Sequence, residues 1–430
     1  MTPGKAPLTI LFVMSLPSLL KPLFQKDRGK PMGIAAVYKL LEGLVEAGHN
    51  VHFASIVDPA REKVADLEDR SRDIFISGVH FHVIKMPYGR LSLVLQGRKP
   101  LSRPLGYCRS IFKLAFCLWR LSRLISKIKP DVIYAAMGYQ FTGGLIGKIR
   151  GIPTVIRIYG TFRLHDLRGS WRAFFLQYSQ IILSFKLPSA RFIITNDGTR
   201  GDKVAKFYGV PEHRLKFWIN GVDKTIYQPY FDRQGFLSTL GIPASKKVVL
   251  SLCRLMNFHR IDSLIRAVPQ VVEEVDNVVF LIVGDGPERS NLEELSRQLK
   301  VDRRVKFVGF VPHGETHDFF NAADLFVSLY DFSNLCNPVL EAMACGKCIV
   351  SLDDGTLEGL IKNGDSGRLV EPELVEAELP GILVNLLNDD LRRQQLGSKA
   401  RESVMKNLES WEERIGKEIR LIDEIASAKR

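Results

Sequence analysis

Asp331-Phe-Ser-Asn-Leu-Cys-Asn-Pro-Val-Leu-Glu-Ala-Met-Ala-Cys-Gly346 is the stretch whose residue types and spacing carry the most chemistry, and Lys347-Cys-Ile-Val-Ser351 follows it as a strand. Asn337 suits a helix N-cap and Pro338 the first helical position, where a missing N–H costs nothing. The amides of Val339 and Leu340 are then left without intrahelical partners and make an anion site at the helix end. Glu341, one turn in, can accept hydrogen bonds from hydroxyls. A phosphate at the helix end and a diol beside the carboxylate together describe a nucleotide. An ordinary capped helix leading into a strand accounts for the same residues without a ligand.

Three further segments could join such a site. In Ser251-Leu-Cys-Arg-Leu-Met-Asn-Phe-His-Arg-Ile-Asp262, Arg254 leaves the end of a strand, with His259 and Arg260 beyond it. Cations there could neutralise a departing diphosphate; a surface basic loop with Arg260 paired to Asp262 is the plainer reading. Gly33 follows the basic loop Lys21–Lys30 and precedes a helix, where glycine lets a ligand approach the backbone. Val283-Gly-Asp-Gly-Pro-Glu288 matches neither a P-loop nor the dinucleotide fingerprint, so Gly284 serves either a nucleobase contact or a tight turn. Asn220-Gly221 is a turn signal at a strand end.

The elements that must position these residues alternate. Apolar, β-branched runs predict strands at Thr9–Met14, Val51–Ile56, Val132–Ala135, Thr154–Ile158 and Phe192–Thr195, with helices starting near Gly33, Tyr139 and Thr199. After Tyr227-Gln-Pro229 the rhythm restarts. Strands are expected at Val248–Leu252, Val278–Val283, Lys306–Val308, Leu325–Ser328 and Cys348–Ser351, and helices near 260–275, 289–299, 315–322 and 338–345. Such alternation predicts an α/β class: two doubly wound Rossmann-like domains facing each other across a cleft, with ligands at the carboxyl ends of the strands. The boundaries expected are 1–220 for a basic first domain and 221–408 for a second. A charged helix, 409–430, with Trp411 and Ile415 on one side, packs back on the first domain.

Composition narrows the classes. The chain has 430 residues and 46% hydrophobic content, enough for a sizeable core in two or three domains. No apolar run reaches the roughly 18 residues that span a bilayer, and Leu8–Leu20 lacks the flanks of a signal peptide. The six cysteines form neither a disulfide framework nor a zinc pattern; Cys345-Gly-Lys-Cys348 bridges a helix end and a strand, where packing is the default. A reducing cytoplasm is expected. Charge is lopsided: residues 1–220 hold 34 Lys+Arg against 14 Asp+Glu, and the remainder 26 against 33. From Lys85 to Lys129 there are eleven basic residues and no acid. Within this interval 107–128 reads as a basic amphipathic helix with Phe112, Phe116 and Trp119, which suits either an anionic membrane surface or a core helix with a solvated basic face. No nucleic-acid module accompanies the charge, so no nucleic-acid partner is expected.

Taken in order, Gly33, Asn220-Gly-Val-Asp223, Arg254-Leu255, Gly284-Asp-Gly-Pro287 and Leu340-Glu-Ala-Met-Ala-Cys-Gly346 resemble the retaining family-4 glycosyltransferases of the glycosyltransferase-B fold. The resemblance covers nearly the whole chain. It implies that Gly33 and Arg254 meet the donor diphosphate and that Glu341 binds the ribose hydroxyls. The loop Ser333–Asn337 would face the donor sugar, and Phe310–Pro312, with Val311 at its centre, would border the base. It also implies no cofactor or metal and no protein nucleophile, the leaving phosphate helping to deprotonate the acceptor. Three positions depart from the family pattern: Ser333 stands for a usual Glu, His259 for a Lys, and Tyr159-Gly160 for a His-Gly pair. The donor-sugar contact of that Glu would pass to Asn334 or Asn337. The activity implied is transfer of a sugar from a nucleotide-sugar to a glycan or lipid-linked acceptor in cell-envelope polysaccharide or glycolipid synthesis, in the cytoplasm or on the inner membrane face. A catalytically silent nucleotide-sugar-binding or scaffold protein is the alternative from another class, and phosphorolysis a third.

Overall fold

A computed structural model of the chain describes residues 6–15, 35–57, 78–86, 102–167, 169, 178–188 and 190–428. Gly33 and the loop Lys21–Lys30 lie outside the described residues. Among the described residues seven strands form the first sheet: β1 (Thr9–Met14), β2 (Asn50–Val57), β3 (Val79–Lys85), β4 (Val132–Ala135), β5 (Thr154–Ile158), β6 (Ala190–Thr195) and β7 (Leu215–Trp218). Six form the second: β8 (Lys247–Leu252), β9 (Val278–Val283), β10 (Val305–Gly309), β11 (Leu325–Ser328), β12 (Cys348–Leu352) and β13 (Arg368–Val370). The spatial orders are β3-β2-β1-β4-β5-β6-β7 and β10-β9-β8-β11-β12-β13, and every pairing is parallel. Runs buried on both faces, such as Ile10–Met14 and Val278–Val283, are what a parallel sheet covered by helices requires. In each sheet the order reverses beside the domain's first strand, at β1/β4 and β8/β11, the switch points where such folds bind ligands.

Helices α1 (Ala35–Glu46), α2 (Ser102–Ile128), α3 (Gln140–Arg150), α4 (Ser179–Ser184) and α5 (Gly201–Phe207) accompany the first sheet. The second is accompanied by α6 (Arg233–Thr239), α7 (Ile261–Glu274), α8 (Arg289–Gln298), α9 (Thr316–Ala322), α10 (Asn337–Ala344), α11 (Val375–Asn388) and α12 (Asp390–Asn407), and α13 (Trp411–Ser427) follows. These are two Rossmann-like domains. β3 and β13 have no counterpart in the sequence pattern, and β7 is marked there only by the Asn220-Gly221 signal at its end. All three sit at sheet edges, where burial is partial and the apolar run fades.

Contacts gather the chain into two compact units: Met1–Thr195 with Arg200–Trp218 and Arg414–Arg430, and Asn196–Thr199 with Ile219–Glu413. Most of α13 therefore belongs with the first sheet. A Cβ on Gly43 of α1 would lie 2.8 Å from Ile415 of α13, so the two helices touch where no side chain intervenes. The start of α13 is held in the second unit. Val222 N donates to Glu409 O at 3.0 Å, and a Cβ on Gly221 would sit 2.6 Å from Trp411 Cα. The Asn220-Gly221 pair, expected to mark a turn, instead lies at a close chain approach.

A buried polar cluster seats α13 on the first sheet. Glu418 accepts from the Tyr134 hydroxyl and, at 2.8 Å, from Arg414 Nη1. The Arg157 guanidinium lies 3.9 Å away, and all four residues are at most 2% exposed. Two guanidiniums face one carboxylate, so removing the carboxylate's charge leaves uncompensated cations in the interior. Glu418→Gln is expected to destabilise the first unit by about 3 kcal/mol, read as a lower urea midpoint.

At the outer edge, His52 and His82 form a ring-to-ring hydrogen bond of 2.9 Å, with His80 stacked on His52. That bond needs one ring nitrogen to accept, so it requires neutral imidazole. Burial and then neighbouring imidazoles push His52 down to about 4, and burial lowers His82. The unfolded chain takes up these protons first, near pH 6.5, so stability is full above that pH and falls as pH drops towards 4. A His52→Asn, His82→Asn variant should lose less stability between pH 6.5 and 5 than the parent, measured by denaturant titration at each pH.

Candidate functional site

The second unit places Arg254 and the Glu341 helix at the carboxyl end of its sheet. β8 ends at Leu252, and Arg254 emerges exposed just beyond. Leu255, wholly buried, fixes the exit, its N donating to Asp285 O at 3.0 Å. A short 3-10 turn, Asn257–His259, follows. His259 stacks on Tyr330 with centroids 4.5 Å apart, and Phe258 packs against Tyr330 and Phe332. Burial pushes His259 down to about 4, so it is neutral at pH 7 and the positive charge expected there rests on Arg254. Arg260, at φ +47°, pairs with Asp331 and donates to Pro372 O at 2.7 Å. The expected Arg260–Asp262 pair is therefore replaced by one that ties the β8 loop to the start of the β11 loop.

Asn334 organises that second loop. Its Nδ2 donates to Tyr330 O and Asp354 Oδ2, both at 3.0 Å. Its Oδ1 accepts from Ser328 Oγ and Tyr330 N, both at 3.1 Å. The two donors and two lone pairs of the amide are all used, and the residue is 0% exposed. The sugar contact expected of Asn334 is corrected accordingly: it holds the loop. Ser333 is 2% exposed; its hydroxyl donates to Asp197 O, within the same unit, and accepts from Leu335 N at 3.1 Å. Asn337 is half-buried and accepts from Asn220 Nδ2 at 3.0 Å, which leaves its own amide N–H groups for a ligand.

The start of α10 differs from expectation by one residue. Cys336 is the N-cap, Asn337 the first helical residue and Pro338 the second. Val339 N and Leu340 N both donate to Cys336 O, at 3.1 and 3.2 Å. These two amides are thus not the open anion site expected; a tight first turn satisfies them, and both residues are buried in the core.

Glu341 is 3% exposed and has an unexpected partner: His313 Nε2 lies 2.8 Å from its Oε1. His313 opens the 3-10 turn His313–Glu315 after β10, two residues past the half-buried Val311. The available signal was a polar ring next to the stretch already expected to border a base. Gly284 has φ +130°. Its N donates to Gly309 O at 2.8 Å, and a Cβ would lie 1.8 Å from Cys253 O. Of its two readings, the geometry favours the tight turn.

Tyr159 belongs to the first unit, just past β5, with the Arg157 guanidinium 4.5 Å from its ring centre. Burial pushes its hydroxyl up to about 12, so it remains a protonated donor at neutral pH. Cys345 and Cys348 are buried free thiols, each pushed up to about 12 by burial, as packing residues are. Among the described residues no group of three or more His, Cys, Asp or Glu is arranged to hold a metal ion.

Comparison with known proteins supplies the family. Residues 35–225 match the Glycosyltransferase Family 4 model and residues 232–403 the Glycosyl transferases group 1 model. The chain is 28% identical over 203 residues to N-acetyl-alpha-D-glucosaminyl L-malate synthase of Bacillus anthracis, 46% of this chain but only 51% of that protein. The chain thus spans about half the length of that curated relative. To D-inositol 3-phosphate glycosyltransferase of Corynebacterium aurimucosum it is 25% identical over 362 residues, 81% of this chain and 80% of the other. The fold matches Anabaena HepE, solved in complex with UDP and glucose, at TM-score 0.67 and 20% identity over 96% of this chain and 98% of that one. With both halves matched in order and the fold shared end to end, the chain belongs to the family-4 glycosyltransferases of the glycosyltransferase-B fold.

Proposed function

We propose that the chain is a retaining glycosyltransferase that moves a sugar from a nucleoside diphosphate donor to a glycan or lipid-linked acceptor at an anionic membrane surface. The observation that carries the donor part is Glu341. A buried carboxylate held on one oxygen by an imidazole keeps lone pairs for a ribose diol. Arg254 stands exposed in the same unit and would hold the diphosphate, and Val311 would border the base. As the sugar–phosphate bond breaks, negative charge grows on the leaving oxygen. Arg254 stabilises it, and the leaving phosphate takes the acceptor proton on the same face. In this reading no resident metal and no protein nucleophile is used. Asn337 is the remaining polar side chain of the loop for the donor sugar. The silent-binder reading draws on Ser333 and Asn334, whose polar groups are committed to protein partners, Asp197 and Asp354 among them.

The membrane part rests on α2. Cys117, Leu121 and Ile125 are buried against the sheet. The opposite side exposes Ile111, Phe112 and Trp119 by 68, 50 and 47%, beside exposed Lys113, Arg120, Arg123 and Lys127. Core packing and a basic apolar outer face therefore coexist on one helix. Arg123 lies 4.3 Å over the Trp119 ring, an apolar plate joined to a cation as interfacial helices present them. Among the described residues no helix is long and apolar enough to cross a membrane.

Two outcomes are expected. Among UDP-, GDP- and ADP-sugars at least one should raise the melting temperature and be turned over, and Arg254→Ala should lower kcat by about 100-fold or more. No shift and no turnover with any donor would remove the reading, and a thermal shift with no turnover would leave the silent binder. Flotation with phosphatidylglycerol-containing vesicles should recover the protein at low salt and lose it as salt rises. Trp119→Ala combined with Arg120→Glu and Arg123→Glu should abolish recovery without changing the melting temperature.

A further inference from the structure

We infer that His313 is a positioning residue for the nucleotide, holding Glu341 in the orientation that accepts the ribose hydroxyls; this rests on the donor reading above. Glu341 is fixed at its backbone by α10, but its side chain can still rotate. The 2.8 Å bond from His313 Nε2 to Oε1 removes that freedom. A carboxylate only accepts, so Nε2 must carry the proton. The backbone that carries the imidazole is itself anchored. Pro312 precedes it with φ −57°, Glu315 N donates to Pro312 O at 2.9 Å, and Thr316 Oγ1 donates to His313 O at 2.8 Å. The brace thus runs from a rigid turn after β10 to the helix after β11, two elements that only the fold brings together.

The residue type matters. An arginine here would clamp both carboxylate oxygens and neutralise them, in competition with the diol. An imidazole takes one oxygen and leaves the other open. Val311, expected beside the base, lies two residues before this turn, so base and ribose recognition would be set by one short segment.

The test separates positioning from general support by removing the ligand's hydroxyls as well as the side chain. Calorimetric titration would compare UDP, GDP and ADP with their 2′,3′-dideoxy forms on the wild type, His313→Ala and His313→Gln. For the nucleotide that binds, the wild type should prefer the ribose form. His313→Ala should weaken that form by about tenfold and leave the dideoxy form unchanged. His313→Gln, which keeps an N–H donor, should restore much of the preference. Equal losses for both forms, or none, would overturn the inference. If His313→Ala loses its cooperative melt, His313→Phe fills the space without an N–H and carries the same comparison. If no nucleoside diphosphate binds the wild type, the donor reading fails and this inference with it; binding that ignores His313 sinks the inference alone.

Discussion

The donor-side geometry of the second unit depends on one saturated amide. Asn334 has no solvent exposure and makes four side-chain hydrogen bonds, to Tyr330, Ser328 and Asp354. Losing any one would leave a buried polar group unpaired, at a cost of about 1–3 kcal/mol, so the loop between β11 and α10 has little freedom. Everything else in the region hangs from it. Asp331 is placed to pair with Arg260, Tyr330 to stack on His259, and Cys336 to start the helix that carries Glu341. Two loops from neighbouring strands β8 and β11 are thereby locked at the switch point of the sheet.

The charge pattern follows from burial rather than from residue type. Three groups that look like cations or anions in the sequence behave differently once packed. His259 is stacked and neutral, Arg260 is consumed by Asp331, and Glu341 is held by an imidazole. Arg254 stays exposed just past the end of β8. The departures Ser333 and His259 therefore alter the loop contacts and the charge count without touching the Glu341–His313 pair.

Much of this was legible in the residues. Buried parallel strands read clearly because apolar character is continuous through them: β1, β4, β5, β9 and β11 have the expected ends. Edge strands β3, β7 and β13 did not, since half-exposed positions mix histidine, lysine and arginine into the pattern. Glu341 and Arg254 stand out in the sequence by position relative to a helix start and a strand end, and the fold sets both at the carboxyl end of the second sheet. The N-cap shift to Cys336 was not, because a tight first turn satisfies amides that a standard cap would leave open. Asn334 could not be separated from Asn337 as a sugar contact in the sequence, as both are asparagines of the segment Ser333–Asn337. Only Tyr330 and Asp354, drawn in by the fold, decide that one is structural. His313 was missed for the same reason, its partner lying 28 residues away.

Hydrogen–deuterium exchange with and without a nucleoside diphosphate sugar tests the central claim most directly. The account predicts slower exchange on donor addition at 254–260, 311–316 and 333–344, leaving α8 and α11 unchanged. Protection confined to other segments of the second unit, or to none while the donor is bound, would contradict it.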